Sequence, residues 1–236
     1  MSEGAPRASN LYFEELGEDF DAFMSDYDVS QRARLICECL DSLDELDGAA
    51  LEVGCGTGAI SRHIQPKLAD LTVSDISLKL SQAVGERLDC KWSEADAVSL
   101  PFADHSYDVV VSSELIEHTP APEEALREMA RVLKPGGCLI VTSPNRLWWP
   151  VLLFAEFTGL RKFRGNEHWL WPRQAARVLE GEGLVVEKVS GVHLFPWQIP
   201  GAKAILPFFD RFGSTLYPLM INFAVFAHRP VSEERR

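Results

Sequence analysis

The eight residues Leu51-Glu52-Val53-Gly54-Cys55-Gly56-Thr57-Gly58 constrain the fold of this chain more than any other stretch. They close an apolar run that begins at Ala49, and helix-forming residues resume at Ala59 and Ile60. Residues 49–53 read as a buried strand. Glycine lacks a Cβ and tolerates positive φ, so Gly54, Gly56 and Gly58 let the backbone turn sharply out of that strand and approach a ligand closely. The helix that follows points its N-terminus, with its partial positive charge, into the same cleft. An acid stands two places before the first glycine, Glu52, and another ends the next apolar run, Asp75. A turn of this kind flanked by two carboxylates suits a nucleotide-like ligand.

Beyond the turn the chain alternates. A helix is expected over residues 59–67, a strand over 71–74, a helix over 78–88 and a short strand near 91–94. The β-branched run Val109-Val110-Val111 marks a strand over 107–112. Residues 123–134 read as a helix with Leu126, Met129, Ala130 and Leu133 on one face, stopped by Pro135-Gly136-Gly137 ahead of a strand at 138–142. A helix at 171–181 carries Pro172 in its first turn. Residues 184–189 and 221–228 then read as two strands without a long helix between them, suited to antiparallel pairing at a sheet edge. Regular alternation of strand and helix implies right-handed crossovers and a largely parallel sheet covered on both faces. Two segments break the rhythm, 145–170 rich in Trp and Phe and 193–217 rich in Pro and Phe, and insertions of that length are often functional.

The 236 residues, 46% of them hydrophobic, suffice for one domain with a sizeable core. Residues 1–10 read as disordered and 11–236 as a single domain: a helical cover at 11–46, a ligand-binding core at 47–145 and a C-terminal part with insertions at 146–236. A net charge of -12 argues against a general nucleic-acid binder, which needs a basic footprint. The five cysteines, Cys37, Cys39, Cys55, Cys90 and Cys138, have no disulfide-framework spacing. The polar N-terminus has no secretory signal, and no apolar segment reaches the ~18–20 residues a spanning helix needs, so the expectation is a cytoplasmic protein without a transmembrane segment.

With these residues in view, the sequence resembles the class I S-adenosylmethionine-dependent methyltransferases, and among them the small-molecule branch. Glu52 with Gly54, Gly56 and Gly58 resembles that family's first motif, and Asp75 the acid ending its second strand. Glu94-Ala95-Asp96-Ala97 with Leu100-Pro101-Phe102 resembles its adenine-holding segment. Ser113-Glu114-Leu115-Ile116-Glu117-His118 and the run from Arg131 to Gly137 resemble the signature after its fourth strand. The likeness is close from Ala49 to Asn145 and schematic outside it. It implies a Rossmann-like α/β fold: a seven-stranded, mostly parallel sheet with an antiparallel edge strand and helices on both faces. It implies S-adenosyl-L-methionine as cofactor, bound by Glu52, Gly54, Cys55, Gly56, Gly58, Asp75, Ile76, Asp96, Ala97 and Ser113.

The chemistry of the cofactor agrees with several of these assignments. A carboxylate at a strand end, such as Asp75, can accept both ribose hydroxyls. Asp96 can accept from the adenine amine, or cap its own loop. Carboxylates near a sulfonium favour its charge. The cysteine thiol at 55 is expected to be inert, with only its backbone contributing.

The rest of the reaction is less constrained. His118, just past the fourth strand, is the candidate general base for a hydroxyl acceptor, and equally a residue that bonds to loop backbone. Glu114, Glu117 and His118 resemble the acid and histidine cluster associated with a divalent metal in quinone-biosynthesis O-methyltransferases, although the E-H pair also occurs in relatives that need no metal, and no metal is expected. Trp148, Trp149, Phe154, Phe157, Phe195, Trp197, Phe208, Phe209 and Tyr217 either line an apolar acceptor pocket or pack the insertions. Arg161, Lys162, Arg164 and Arg173 cluster near Asn166-Glu167-His168-Trp169 and suit an anionic group on the acceptor. Tyr12, Phe13, Phe20, Phe23 and Tyr27 suggest a cover over the cofactor, with Arg32 or Arg34 meeting its carboxylate. The expected acceptor is small and hydrophobic, lipid-like or isoprenoid, methylated on oxygen, nitrogen or carbon, with peripheral membrane contact. Two rivals stand beside this reading. Gly54-x-Gly56-x-x-Ala59 also satisfies a dinucleotide fingerprint, which would make the chain a nicotinamide oxidoreductase. A catalytically idle, cofactor-binding partner of another protein is the second.

Overall fold

The computed structural model describes residues 25–43, 47–158 and 168–231. The expectations placed on Tyr12, Phe13, Phe20, Phe23, Arg161, Lys162, Arg164, Asn166 and Glu167 therefore lie outside the described residues, as does the disordered reading of residues 1–10.

The strands are β1 (Ala49–Val53), β2 (Asp70–Asp75), β3 (Lys91–Glu94), β4 (Tyr107–Ser113), β5 (Leu133–Pro144), β6 (Val185–Val192) and β7 (Asn222–His228). They form one seven-stranded sheet in the order β3-β2-β1-β4-β5-β7-β6. The first five run parallel, while β7 is antiparallel to both β5 and β6. The expected class I architecture is therefore present, with its antiparallel pairing at the edge.

Period-two alternation divides the core. Leu51 and Val53 of β1, with Val110, Leu139, Val141 and Val225, face helices α4 (Pro122–Val132) and α6 (Pro172–Gly181). The intervening positions Ala50, Val73, Val109, Val111, Ile140 and Phe226 face α1 (Asp26–Leu40), α2 (Ser61–Ile64) and α3 (Leu78–Leu88). Helix α1 buries Val29, Ala33, Ile36 and Leu40 in this second layer, so it is part of the core as well as a cover.

Several boundaries differ from the sequence expectation for local physical reasons. The helix after the glycine turn closes at Ile64 and gives way to a 3-10 turn, Gln65–Lys67, because Pro66 restricts its predecessor and has no N–H to donate. Helix α4 stops at Val132, not at Lys134, since the backbone N–H groups of His105 and Ser106 take the carbonyls of Arg131 and Val132. Strand β5 then runs straight through Pro135-Gly136-Gly137. The two irregular segments contain helices that their Pro and aromatic content concealed: α5 (Trp149–Phe157), α7 (Ala202–Asp210, with Pro207 inside) and α8 (Gly213–Leu216). Helix α6 begins at Pro172 with no side-chain cap; the Trp171 carbonyl instead accepts from the N–H groups of Gln174 and Ala175.

Candidate functional site

The strand order reverses direction between β1 and β4, and a crevice opens there at the carboxyl edge of the sheet. Gly54, Gly56 and Gly58 all have positive φ, at 78°, 51° and 83°. The N–H groups of Gly54 and Cys55 both donate to the Ser74 carbonyl, at 2.8 and 2.9 Å, which fastens the turn to the end of β2. A Cβ on Gly54 would meet Leu115 at 2.7 Å, and one on Gly58 would collide with the Arg87 guanidinium, which donates to the Thr57 carbonyl. A Cβ on Gly56 would meet nothing within 4 Å. Gly54 and Gly58 are thus glycines because neighbouring side chains crowd them, whereas Gly56 leaves bare backbone facing open space.

Asp75, the last residue of β2, is buried and aims at this turn. Its Oδ2 accepts the Gly56 N–H at 2.9 Å and its Oδ1 the Ser77 N–H at 3.0 Å. Burial raises its pKa, and the amides of Ser77, Gly56 and Ile76 work against that rise. Glu52 lies on the face of β1 toward α2 and is 2% exposed. Its Oε2 is buried without a hydrogen-bond partner, as is the hydroxyl of Ser61. Desolvation pushes the Glu52 carboxyl up to about 7, against the effect of the Ser61 hydroxyl and assisted by the charge on Asp75. Cys55 is buried, and burial beside Glu52 and Asp75 drives its thiol far above the ordinary range, so the thiol is chemically quiet.

The next positions are mixed. Asp96 uses Oδ1 to cap its own loop, accepting the Val98 N–H at 3.1 Å, and Ala97 beside it is buried. Ile76 is half-buried at the start of the turn into α3. The Ser113 hydroxyl, at the end of β4, accepts from Arg32 Nη1 at 2.9 Å and shares a hydrogen with Thr142 at 2.8 Å. Its side chain is therefore committed within the protein.

Past β4, Glu114 adopts φ 52° and its carboxylate is bound by Thr142 at 3.1 Å and Asn222 at 2.6 Å. Burial lifts its pKa to about 7, with Arg32 opposing and Asp28 adding to the rise. Glu117 is buried and accepts from Ser143 at 3.2 Å, with His118 Nε2 3.9 Å from its other oxygen. Glu114, Glu117 and His118 do not converge: among the described residues no three acid, histidine or cysteine side chains meet as a metal site would require. The physical reason is that Glu114 turns toward β5 and β7 while Glu117 turns toward Ser143. Thr142 and Asn222, which hold Glu114, were not singled out from the sequence; as polar residues inside apolar strand runs they carried a readable signal.

Arg32 is buried and locked, donating Nε and Nη2 to Asp28 at 3.1 and 2.9 Å, while Arg34 pairs with Glu38 at the surface. Arg32 also donates Nη1 to Ser113, which stands level with Gly54 at the ends of β4 and β1. Around the first long insertion, a cleft of about 510 Å³ is lined by Arg146, Trp149, His168, Trp169 and Leu170 among others. Trp149 and Trp169 meet edge to face at 5.5 Å, and His168 Nδ1 lies 3.0 Å from the Thr119 carbonyl. Arg173 lines a neighbouring cleft of about 710 Å³ with Trp171 and Tyr217. Trp148 donates to the Leu219 carbonyl at 3.0 Å, and Phe195 packs on Phe209. Phe154, Phe157 and Phe208 stand 65%, 88% and 58% exposed.

Residues 51–141 match the methyltransferase-domain family. The chain is 30% identical over 168 residues to the ubiquinone biosynthesis O-methyltransferase of Xanthomonas euvesicatoria pv. vesicatoria, covering 65% of this chain and 70% of that protein. It is 33% identical over 132 residues to the demethylmenaquinone methyltransferase of Renibacterium salmoninarum, covering 55% of each. Among solved structures, a SAM-dependent methyltransferase from Thermotoga maritima superposes with a TM-score of 0.67 at 18% identity, over 91% of this chain and 97% of that one, a likeness of fold.

Proposed function

The chain belongs to the class I S-adenosylmethionine-dependent methyltransferases, and from that premise we propose that it transfers the methyl group to a ring hydroxyl of a hydrophobic, quinol- or catechol-like molecule. S-adenosylmethionine is its methyl donor and supplies the activated carbon. What falls to the chain is to hold that donor, align the acceptor in line with the methyl–sulfur bond, and exclude water.

The observation that carries the cofactor half is the buried, unpartnered Glu52 oxygen beside the bare backbone at Gly56. Buried polar atoms are almost always paired, so such an oxygen suits a ligand that brings hydrogen-bond donors. We assign Glu52 to the methionine end of the cofactor, where its charge also favours the sulfonium. Asp75 takes the ribose hydroxyls: each oxygen already accepts one amide and has a lone pair left. Asp96 and Ala97 flank the adenine, with Asp96 Oδ1 kept for its own loop. This donor set has no counterpart in the dinucleotide reading, which gives no role to Glu52.

The hydroxyl rests on the ubiquinone biosynthesis O-methyltransferase relative, and the hydrophobic quinone-like ring on both relatives and on the aromatic cleft at Trp149, Trp169 and His168. The exposed Phe154, Phe157 and Phe208 support contact with the lipid phase in which such an acceptor dissolves. No helix of the described residues is long and apolar enough to cross a membrane. The test is incubation with methyl-labelled cofactor and a panel of an alkylcatechol, an alkylhydroquinone and an alkylamine. Label in the aryl ethers is expected; label in the amine alone refutes the hydroxyl assignment, and no transfer to any native lipid extract favours the idle-partner reading.

A further inference from the structure

Helices α4 and α6 pack against each other, and beside them the surface opens into the groove of about 710 Å³ that Arg173 lines. Pockets for small molecules measure about 300–1,000 Å³. The charged residues lining this one are three arginines, Arg127, Arg173 and Arg177, and two acids, Glu123 and Glu182. Both acids are already engaged. Arg127 stands 3.6 Å from each, and Glu123 also accepts from Gln174 at 2.7 Å. Arg173 and Arg177 are exposed, and among the described residues neither forms an ion pair or a side-chain hydrogen bond.

Two electrostatic costs meet at this pair. Arg173 and Arg177 are four residues apart on α6, so their Cβ atoms are about 5–6 Å apart, and like charges at that spacing destabilise a helix. Arg173 also lies in the first turn of α6, which holds no acid and where the helix macrodipole disfavours a cation. The first turn of α4, likewise opened by a proline, carries Glu123 and Glu124 instead. Acids outnumber bases 35 to 23 in this chain, so two adjacent cations left without an acid go against its composition. Local choices that work against the fold with no compensating contact are expected at functional sites. An apolar surface adjoins the pair: the Trp171 indole is 46% exposed, and Tyr217 lines the same groove.

We propose that this groove binds a phosphate ester with an apolar body, its phosphate on Arg173 and Arg177 and its body on Trp171 and Tyr217. A guanidinium donates two parallel N–H bonds to phosphate oxygens, and one phosphate can accept from two such forks. A phosphate monoester carries about -1.5 to -2 charges at neutral pH, so it offsets both arginines where a carboxylate offsets one. Its arrival removes the repulsion between Arg173 and Arg177. Indole and phenol rings present large apolar faces to a ring or an alkyl chain. The groove adjoins the aromatic cleft at Trp149 and Trp169, with which it shares Glu123, Arg127 and Gln174. Its ligand is assigned from its own lining and does not depend on the identity of the methyl acceptor. Two sources offer this chemistry, a soluble phosphate ester and the headgroup of an anionic lipid.

The test is calorimetric titration of the full chain at low salt with 1-naphthyl phosphate, 1-naphthol and inorganic phosphate. Wild type is expected to bind the ester at least about 10-fold more tightly than either half, and the double variant Arg173→Gln, Arg177→Gln to lose about 10-fold or more of that affinity. Trp171→Ala weakens the ester and leaves inorganic phosphate unchanged. Arg211→Gln, which removes an exposed cation of α7's C-terminal end, stays within about twofold of wild type. No binding of the ester, equal affinity in wild type and the double variant, or an equal loss in Arg211→Gln overturns the assignment. Without ligand the double variant should melt at or above wild type, since it relieves a repulsion; a lower melting point shows that the arginines serve the fold and refutes the argument. Phosphatidylcholine vesicles with and without phosphatidic acid separate the two sources. Uptake that needs phosphatidic acid and both arginines, and that 1-naphthyl phosphate competes away, assigns the lipid headgroup; ester binding without uptake assigns the soluble ligand.

Discussion

Replacing Asp75 by alanine separates the cofactor role of this side chain from its role in the loop. Each carboxylate oxygen has about two acceptor positions, and one on each is already filled, by the amides of Gly56 and Ser77. One position per oxygen is therefore left for the two ribose hydroxyls. A hydrogen bond to a charged group contributes about 1.5–3 kcal/mol, and two bonds on one carboxylate do not add fully. Asp75→Ala should weaken binding by about 1.5–3 kcal/mol, or roughly 10- to 160-fold in Kd. The assay is calorimetric titration with S-adenosylhomocysteine and with its 2′-deoxyribose analogue. Wild type should lose affinity for the analogue, and Asp75→Ala should bind both alike. The variant also leaves the Gly56 and Ser77 amides without their partner, so its fold is checked by thermal unfolding. A folded Asp75→Ala protein with unchanged affinity would remove the ribose assignment.

Three further outcomes follow from the geometry. Gly56→Ala has space for its Cβ in the ligand-free protein, so it should fold with a penalty of only about 1–2 kcal/mol for positive φ, yet lose most cofactor affinity; retained affinity contradicts the close approach assigned there. Glu52 sits at about 7, raised from 4.5, so between those values the folded chain keeps a proton that the unfolded chain has released. Stability therefore falls as pH rises through that window, by about 3 kcal/mol in total, and Glu52→Gln should melt higher than wild type at pH 8, match it near pH 4, and bind cofactor more weakly. A variant with the pH dependence of wild type would show that burial does not shift this carboxyl. Phe154→Ser with Phe157→Ser should reduce sedimentation with phosphatidylcholine vesicles; unchanged partition moves the lipid contact elsewhere.

Much of the sheet was legible because its signals are local. The β-branched run at Val109 to Val111 and the glycine turn after Val53 each fix a strand without help from distant residues. The antiparallel pairing of β6 and β7 was likewise foreseeable, since no long parallel crossover was evident between them. Helix α7 was not, because Pro207 and paired phenylalanines resemble a loop when read in isolation, whereas packing of Ala202 and Leu206 makes them helical. The site followed the same division. Glu52, Gly56 and Asp75 were readable because one motif and one strand end bring them together. The separate directions of Glu114 and Glu117 were not readable, because they depend on Thr142, Asn222 and Ser143 from other strands.

The most direct measurement is a crystal structure of the full chain with S-adenosylhomocysteine. The account predicts the nucleoside across the ends of β3 and β2, both ribose hydroxyls on Asp75, and the amino-acid end toward Glu52 at the end of β1. A nucleoside bound elsewhere, or a ribose with no contact to Asp75, would contradict it.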